Sequence, residues 1–328
     1  MRIIPLLLLL LVSTISSIAQ KITYDPPQGY ESLISKDDYK KIVDLAVPLV
    51  QKRFAIDNIK NGSIELNKGQ EIKTMNLNNL VRNCISESDK SKWKAIIEEY
   101  FNSIYATLDE QKKFDPNNFE AVQKYLSIRI YPTETIMQRG GIDKLIVRTD
   151  IEGTYSVLML DLPGSFSPVS KMNFDKWKKD SAEVFKMAQA NINQQPVGKV
   201  TKQFDIDGSN IEISFLGEEN YAASYALDLI NNSPELVGEW GTVIAVPNKG
   251  LVDLCKVSES HPVDFVKFIQ RTKVLVEKSY NEHQQPISDH FFWYYKGKFT
   301  KINVTQEANG NISVLSPQGL TELMTTSK

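Results

Sequence analysis

The chain has 328 residues, 41% of them hydrophobic and 24% charged, with 38 basic residues against 40 acidic ones and a formal net charge of −2. Those are globular proportions, which exclude a chain disordered throughout. The signs are mixed, as in Lys176, Lys178 and Lys179 beside Asp180 and Glu183, so no basic face is available to displace counterions from phosphate, and nucleic acid is excluded as a partner.

In chain order, Arg2, the apolar run Leu6 to Val12 and the small-residue ending Ser17-Ile18-Ala19 predict an export signal over residues 1–19, cleaved before Gln20. The apolar stretch is too short to span a bilayer, which takes about 20 residues, and no later stretch approaches that length. The expected product is exported, periplasmic or extracellular, with no membrane span. Residues 20–34, with Pro26, Pro27 and Gly29, read as an extended leader.

A mainly helical amino-terminal part is expected over residues 35–127. Ser35 and Asp38 have capping-box spacing, and Tyr39, Ile42, Val43, Ala46 and Val50 recur at helical period. Asn61-Gly62 and Lys68-Gly69 mark turns of a short hairpin, followed by a helical turn carrying Leu80, Val81 and Cys84. Trp93, Ile97, Tyr100, Phe101, Ile104 and Leu108 form the cleanest helical stripe, and Asp115-Pro116 opens a further helix reaching Leu126.

From Ile128 the period changes to that of strands, at Ile128 to Pro132, Leu145 to Arg148 and Tyr155 to Leu160. Phe174 to Ile192 reads as one helix with Trp177 inward. Val200 to Phe204 and Ile211 to Phe215 flank Asp207-Gly208 as a hairpin, a small-residue helix follows from Tyr221, and Val243 to Val246 pairs with Leu251 to Val257. A helix from Pro262 to Tyr280 and the aromatic strand Phe291 to Tyr295 complete an α+β domain over 128–315, with 316–328 as a flexible tail. Strands in adjacent pairs predict an α+β fold with an antiparallel or mixed sheet and helices packed on it.

Ile128-Arg129-Ile130-Tyr131-Pro132, the Thr154 to Leu160 strand, Ala190-Asn191-Ile192, Tyr221-Ala222-Ala223-Ser224 and Gly241 to Pro247 followed by Leu251-Val252 occur in an order that resembles the YtpQ-like family, also called domain of unknown function 1444. The likeness spans roughly residues 64–300 and is strongest over 128–257. The family comprises bacterial proteins with no assigned activity, so the resemblance implies a fold and carries over no catalytic residue. This chain departs from cytoplasmic relatives in its signal and its longer amino-terminal part.

The chemistry-bearing residues point to no familiar catalyst. His283, Asp289 and His290 lie close in sequence, but Pro286 breaks any helix that would align the imidazoles, and His261-Pro262 reads as a helix start near Glu259 and Asp264. Gly164-Ser165-Phe166-Ser167-Pro168 lacks the last glycine of a nucleophile elbow and reads as a loop, and Ser91 to Lys94 has serine-lysine spacing without the partner motif. No cofactor or metal is expected. Cys84 and Cys255 either form a disulfide after export or stay separate buried thiols.

Phe291, Trp293 and Tyr295 are the candidate binding residues, a core strand in one reading and a stacking platform in the other. Glu218-Glu219-Asn220 precedes the small-residue helix and reads as a cap. The expected role is a non-enzymatic binding or interaction module for a protein, peptide or glycan. The alternative is a hydrolase whose carboxylates, such as Asp161, Glu218 and Glu219, converge only in the fold.

Overall fold

The computed structural model describes residues 21–138, 140–206, 208–306 and 311–326. The signal and its cleavage point lie outside the described residues, as does Asp207 of the Asp207-Gly208 turn. The chain forms an α+β fold in two compact units divided between Ala106 and Thr107. Pattern alone places the boundary at residue 127, where the period changes; the division instead falls within a continuous helix, whose apolar stripe gives no local sign of it.

In the first unit, β1 (Lys21–Ile22) precedes α1 (Lys36–Gln51). Ser35 Oγ accepts from Asp38 N at 3.1 Å to start that helix, and its inward stripe is Tyr39, Ile42, Val43, Ala46 and Val50. Three strands follow, β2 (Ile56–Lys60), β3 (Ser63–Leu66) and β4 (Thr74–Asn76). They form a four-stranded sheet of order β1-β2-β3-β4, with β1 parallel to β2. The 20–34 leader is therefore packed in part: Thr23 N donates to Ile59 O at 2.9 Å, and a Cβ on Gly62 would meet Pro27 at 2.5 Å. Helices α2 (Asn78–Ser86) and α3 (Trp93–Gln111) complete this part of the chain.

After the last turn of α3, the second unit continues with a short α4 (Phe119–Val122), capped by Asn118 rather than Asp115. Then come β5 (Leu126–Pro132), α5 (Thr133–Gln138), β6 (Val147–Arg148), β7 (Thr154–Leu162) and β8 (Ser165–Pro168). They make a small antiparallel sheet of order β5-β7-β6, with β8 also on β7. The Gly164 to Pro168 stretch expected as a loop is thus a strand, because Gly164 at φ 82° turns the chain back onto β7. The helix expected over Phe174 to Ile192 is two, α6 (Lys171–Trp177) and α7 (Ser181–Ile192). Lys178 enters the left-handed region at φ 52°, and Asp180 caps a new start by accepting from Ala182 N and Glu183 N.

Next are β9 (Gly198–Ile206), β10 (Ser209–Gly217), α8 (Ala222–Tyr225), α9 (Leu229–Asn232), β11 (Thr242–Asn248), β12 (Leu251–Lys256), α10 (Asp264–Glu282), β13 (Phe291–Tyr295) and β14 (Lys298–Lys301). Their six strands form one antiparallel sheet of order β14-β13-β11-β12-β10-β9. A hairpin of β15 (Asn303–Gln306) and β16 (Ile312–Leu315) leads to α11 (Gln318–Thr326), which buries Leu320 where a flexible tail was expected. One face of the six-stranded sheet shares a core with α7, α8 and the inner face of the small sheet, through Ile244, Leu254, Phe292, Phe185, Ile128 and Leu158. Its other face packs under α10 through Val243, Phe265, Phe268, Phe291 and Trp293.

Candidate functional site

Strand alternation gives the small sheet two unlike faces. Leu126, Ile128 and Ile130 of β5 point into the shared core with Leu158 and Leu160 of β7. Ser127, Arg129 and Tyr131 therefore lie on the opposite, outer face, with Val157, Met159 and Asp161. The register sets Arg129 opposite Val157, Asp161 opposite Phe166, and Met159 opposite Pro168. Ile136 of α5 packs on this face with Val157 and Met159.

A charged cluster occupies one end of the face. Arg129 is only 7% exposed. Its guanidinium donates to Asn220 O at 3.0 Å and Asn220 Oδ1 at 3.3 Å, and lies 3.8 Å from the centre of the Phe166 ring. Lys249 Nζ, from the turn between β11 and β12, donates to the same Asn220 Oδ1 at 3.0 Å. The loop before α8 is held by Glu218, whose carboxylate accepts from Asn220 N at 2.6 Å and Tyr221 N at 2.5 Å. Tyr221 Oη donates to Asp161 Oδ2 at 2.5 Å. Glu219 reaches Lys249 at 3.7 Å and is otherwise exposed.

Desolvation sets the titration of this cluster. Burial raises the Asp161 pKa, opposed by the Tyr221 hydrogen bond and the Arg129 charge. Tyr221 is pushed well above its ordinary value by burial and by Asp161. Burial lowers Lys249, with Arg129 adding repulsion. Arg129 Nε and Ser127 Oγ, neighbours on the outer face, are buried with no hydrogen-bond partner among the described residues. Chemically, this is a proton-accepting carboxylate of raised affinity beside a phenol, backed by two cations that converge on one amide oxygen.

One step along the same strands, the face hollows into a cavity of about 340 Å³ lined by Tyr131, Ile136, Leu145, Val157, Met159 and Pro168, with Gly140, Gly141 and Lys144 at its mouth. Met137 and Ile142, which adjoin lining residues in sequence, are 58% and 37% exposed. The cavity has the volume of small-ligand sites and is mostly apolar with few polar groups, as such sites are.

The sequence-named residues fall elsewhere. Phe291 and Trp293 are buried beneath α10, and Trp293 Nε1 donates to Trp240 O at 2.7 Å, so neither offers an open platform; Tyr295 is half-buried and stacks on Trp293 at 5.0 Å. Cys84 and Cys255 are both free and buried. They form no disulfide with each other, and burial pushes both thiols up to about 12, so neither is an activated nucleophile. His261 meets Asp264 at 3.1 Å and His290 meets Asp289 at 3.2 Å, and His283 Nδ1 accepts from Gln285 N. Among the described residues, no group of His, Cys, Asp and Glu could hold a metal.

Of the carboxylates named together from the sequence, Asp161 and Glu218 both act on Arg129, while Glu219 stands outside on Lys249. Strand periodicity alone gives Arg129 no functional role. The signal that could have singled it out is a lone Arg inside the apolar run Leu126 to Pro132. No family model, curated protein or solved structure matches this chain.

Proposed function

We propose that the protein is an exported binding module that holds a small, largely apolar ligand on the outer face of its small sheet. The observation that supports this is the 340 Å³ cavity between α5 and β7, continuous along the same strands with the Arg129 cluster. A wall of apolar side chains gives affinity through burial, and Lys144 is the charged side chain of its lining. Arg129 and Lys249 position the cluster by pinning Asn220, so its geometry is set before any ligand arrives. The likeness to the YtpQ-like family remains part of this proposal, and it adds no activity. Export is checked by amino-terminal sequencing of material from outside the cell, which should begin at Gln20; a full-length cytoplasmic product contradicts it.

The test of binding fills the cavity. Met159→Phe adds volume to its wall, and a panel of apolar and amphipathic small molecules should bind the parent at least tenfold more tightly than this variant. A panel that binds both proteins alike contradicts the proposal. The raised Asp161 and its hydrogen bond from Tyr221 favour a second reading, hydrolysis of a bound ester or amide. Asp161→Asn should then abolish turnover of a bound ester while leaving its binding intact. Absence of turnover in the parent sinks that reading alone.

A further inference from the structure

We infer that the ligand is a free medium-chain monocarboxylate, its chain in the cavity and its carboxylate at Lys144. This rests on the cavity being a ligand site, and two observations set the chemical class. First, Ile136, Val157 and Met159 are buried and, with Leu145 and Pro168, make a wall without charge, which suits a saturated chain. A volume of about 340 Å³ lies at the small end of ligand sites, which run from about 300 to 1,000 Å³, and suits a short chain such as that of octanoate.

Second, Lys144 is the charged side chain lining the mouth among the described residues. It makes no ion pair among them, and its neighbour Asp143 is exposed and lies outside the lining. An apolar body with one unpaired cation at the opening complements an amphipathic anion. An aliphatic amine would be repelled by Lys144, whereas a carboxylate would be attracted to it.

The test is calorimetric titration of residues 20–328 with octanoate, 1-octanol and octylamine, repeated on Lys144→Gln and Met159→Phe. Octanoate should bind most tightly, Lys144→Gln should weaken it by about tenfold while leaving octanol unchanged, and Met159→Phe should weaken both. Leu145→Trp, in the same wall, replaces Met159→Phe if that variant melts early. Octanol and octylamine binding as well as octanoate, with Lys144→Gln without effect, would overturn the carboxylate and leave the cavity standing. If none of the three binds, the proposal and the cavity reading fall together. Phosphatidylglycerol vesicles that capture the protein while octanoate does not would also overturn it, since the anion would then belong to a membrane surface.

Discussion

Asp253 lies on β12 between Val252 and Leu254, which face the shared core, so its carboxyl faces the α10 side with Cys255. It is 5% exposed, and its Oδ1 has no hydrogen-bond partner among the described residues. Burial raises its pKa to about 7. The unfolded chain ionises near the ordinary value of about 3.9, so between pH 4 and 7 the folded state holds a proton that the unfolded state has lost. Stability from this group is therefore full below pH 4, declines as pH rises to about 7, and is flat above. At 1.36 kcal/mol per unit, the shift corresponds to about 4 kcal/mol. Asp253→Asn should gain on the parent by that order between pH 4 and pH 8 in denaturant melts. A difference independent of pH would show that the carboxyl finds a partner or water.

The same residue scale shows what was illegible. Asp253 and Arg129 each lie between apolar neighbours in a strand, and alternation cannot tell a buried outward face from a solvated one. Whether such a charge is solvated depends on what packs over it: α10 in one case, Phe166 and the 218–221 loop in the other. Neither cover adjoins its strand in sequence.

At the scale of elements, periodicity carried far where a helix has one wet face. The α1 stripe and the Ser35 cap follow directly from spacing. It failed where two helices share an apolar stripe across a break, as at Lys178, since a left-handed lysine leaves no compositional mark. It also missed β2, whose buried Ile56 and Ile59 are too short a pattern to stand against the neighbouring helix. Trp177 belongs to α6, is 6% exposed, donates from Nε1 to Pro116 O at 3.0 Å and packs edge-on to Phe119 at 5.6 Å. Trp177→Ala should cost about 3 to 5 kcal/mol. An unchanged thermal melt would mean that the α4 to α6 contact does not contribute to the unit's stability.

For the whole molecule, the α+β class and the paired antiparallel strands were legible because each hairpin is local, with its turn between its strands. The face on which the site stands was not. It is assembled from β5, β7 and β8, from α5, and from residues of the 218–221 loop and Lys249, more than a hundred positions apart in sequence. The central claim is that the outer face of the small sheet is the ligand site, and amide hydrogen exchange of residues 20–328 with and without saturating octanoate tests it most directly. Slowed exchange is expected over residues 131–147 and 155–168, with little change at 291–295; protection confined to 291–295, or to the first unit, would show that the ligand binds elsewhere.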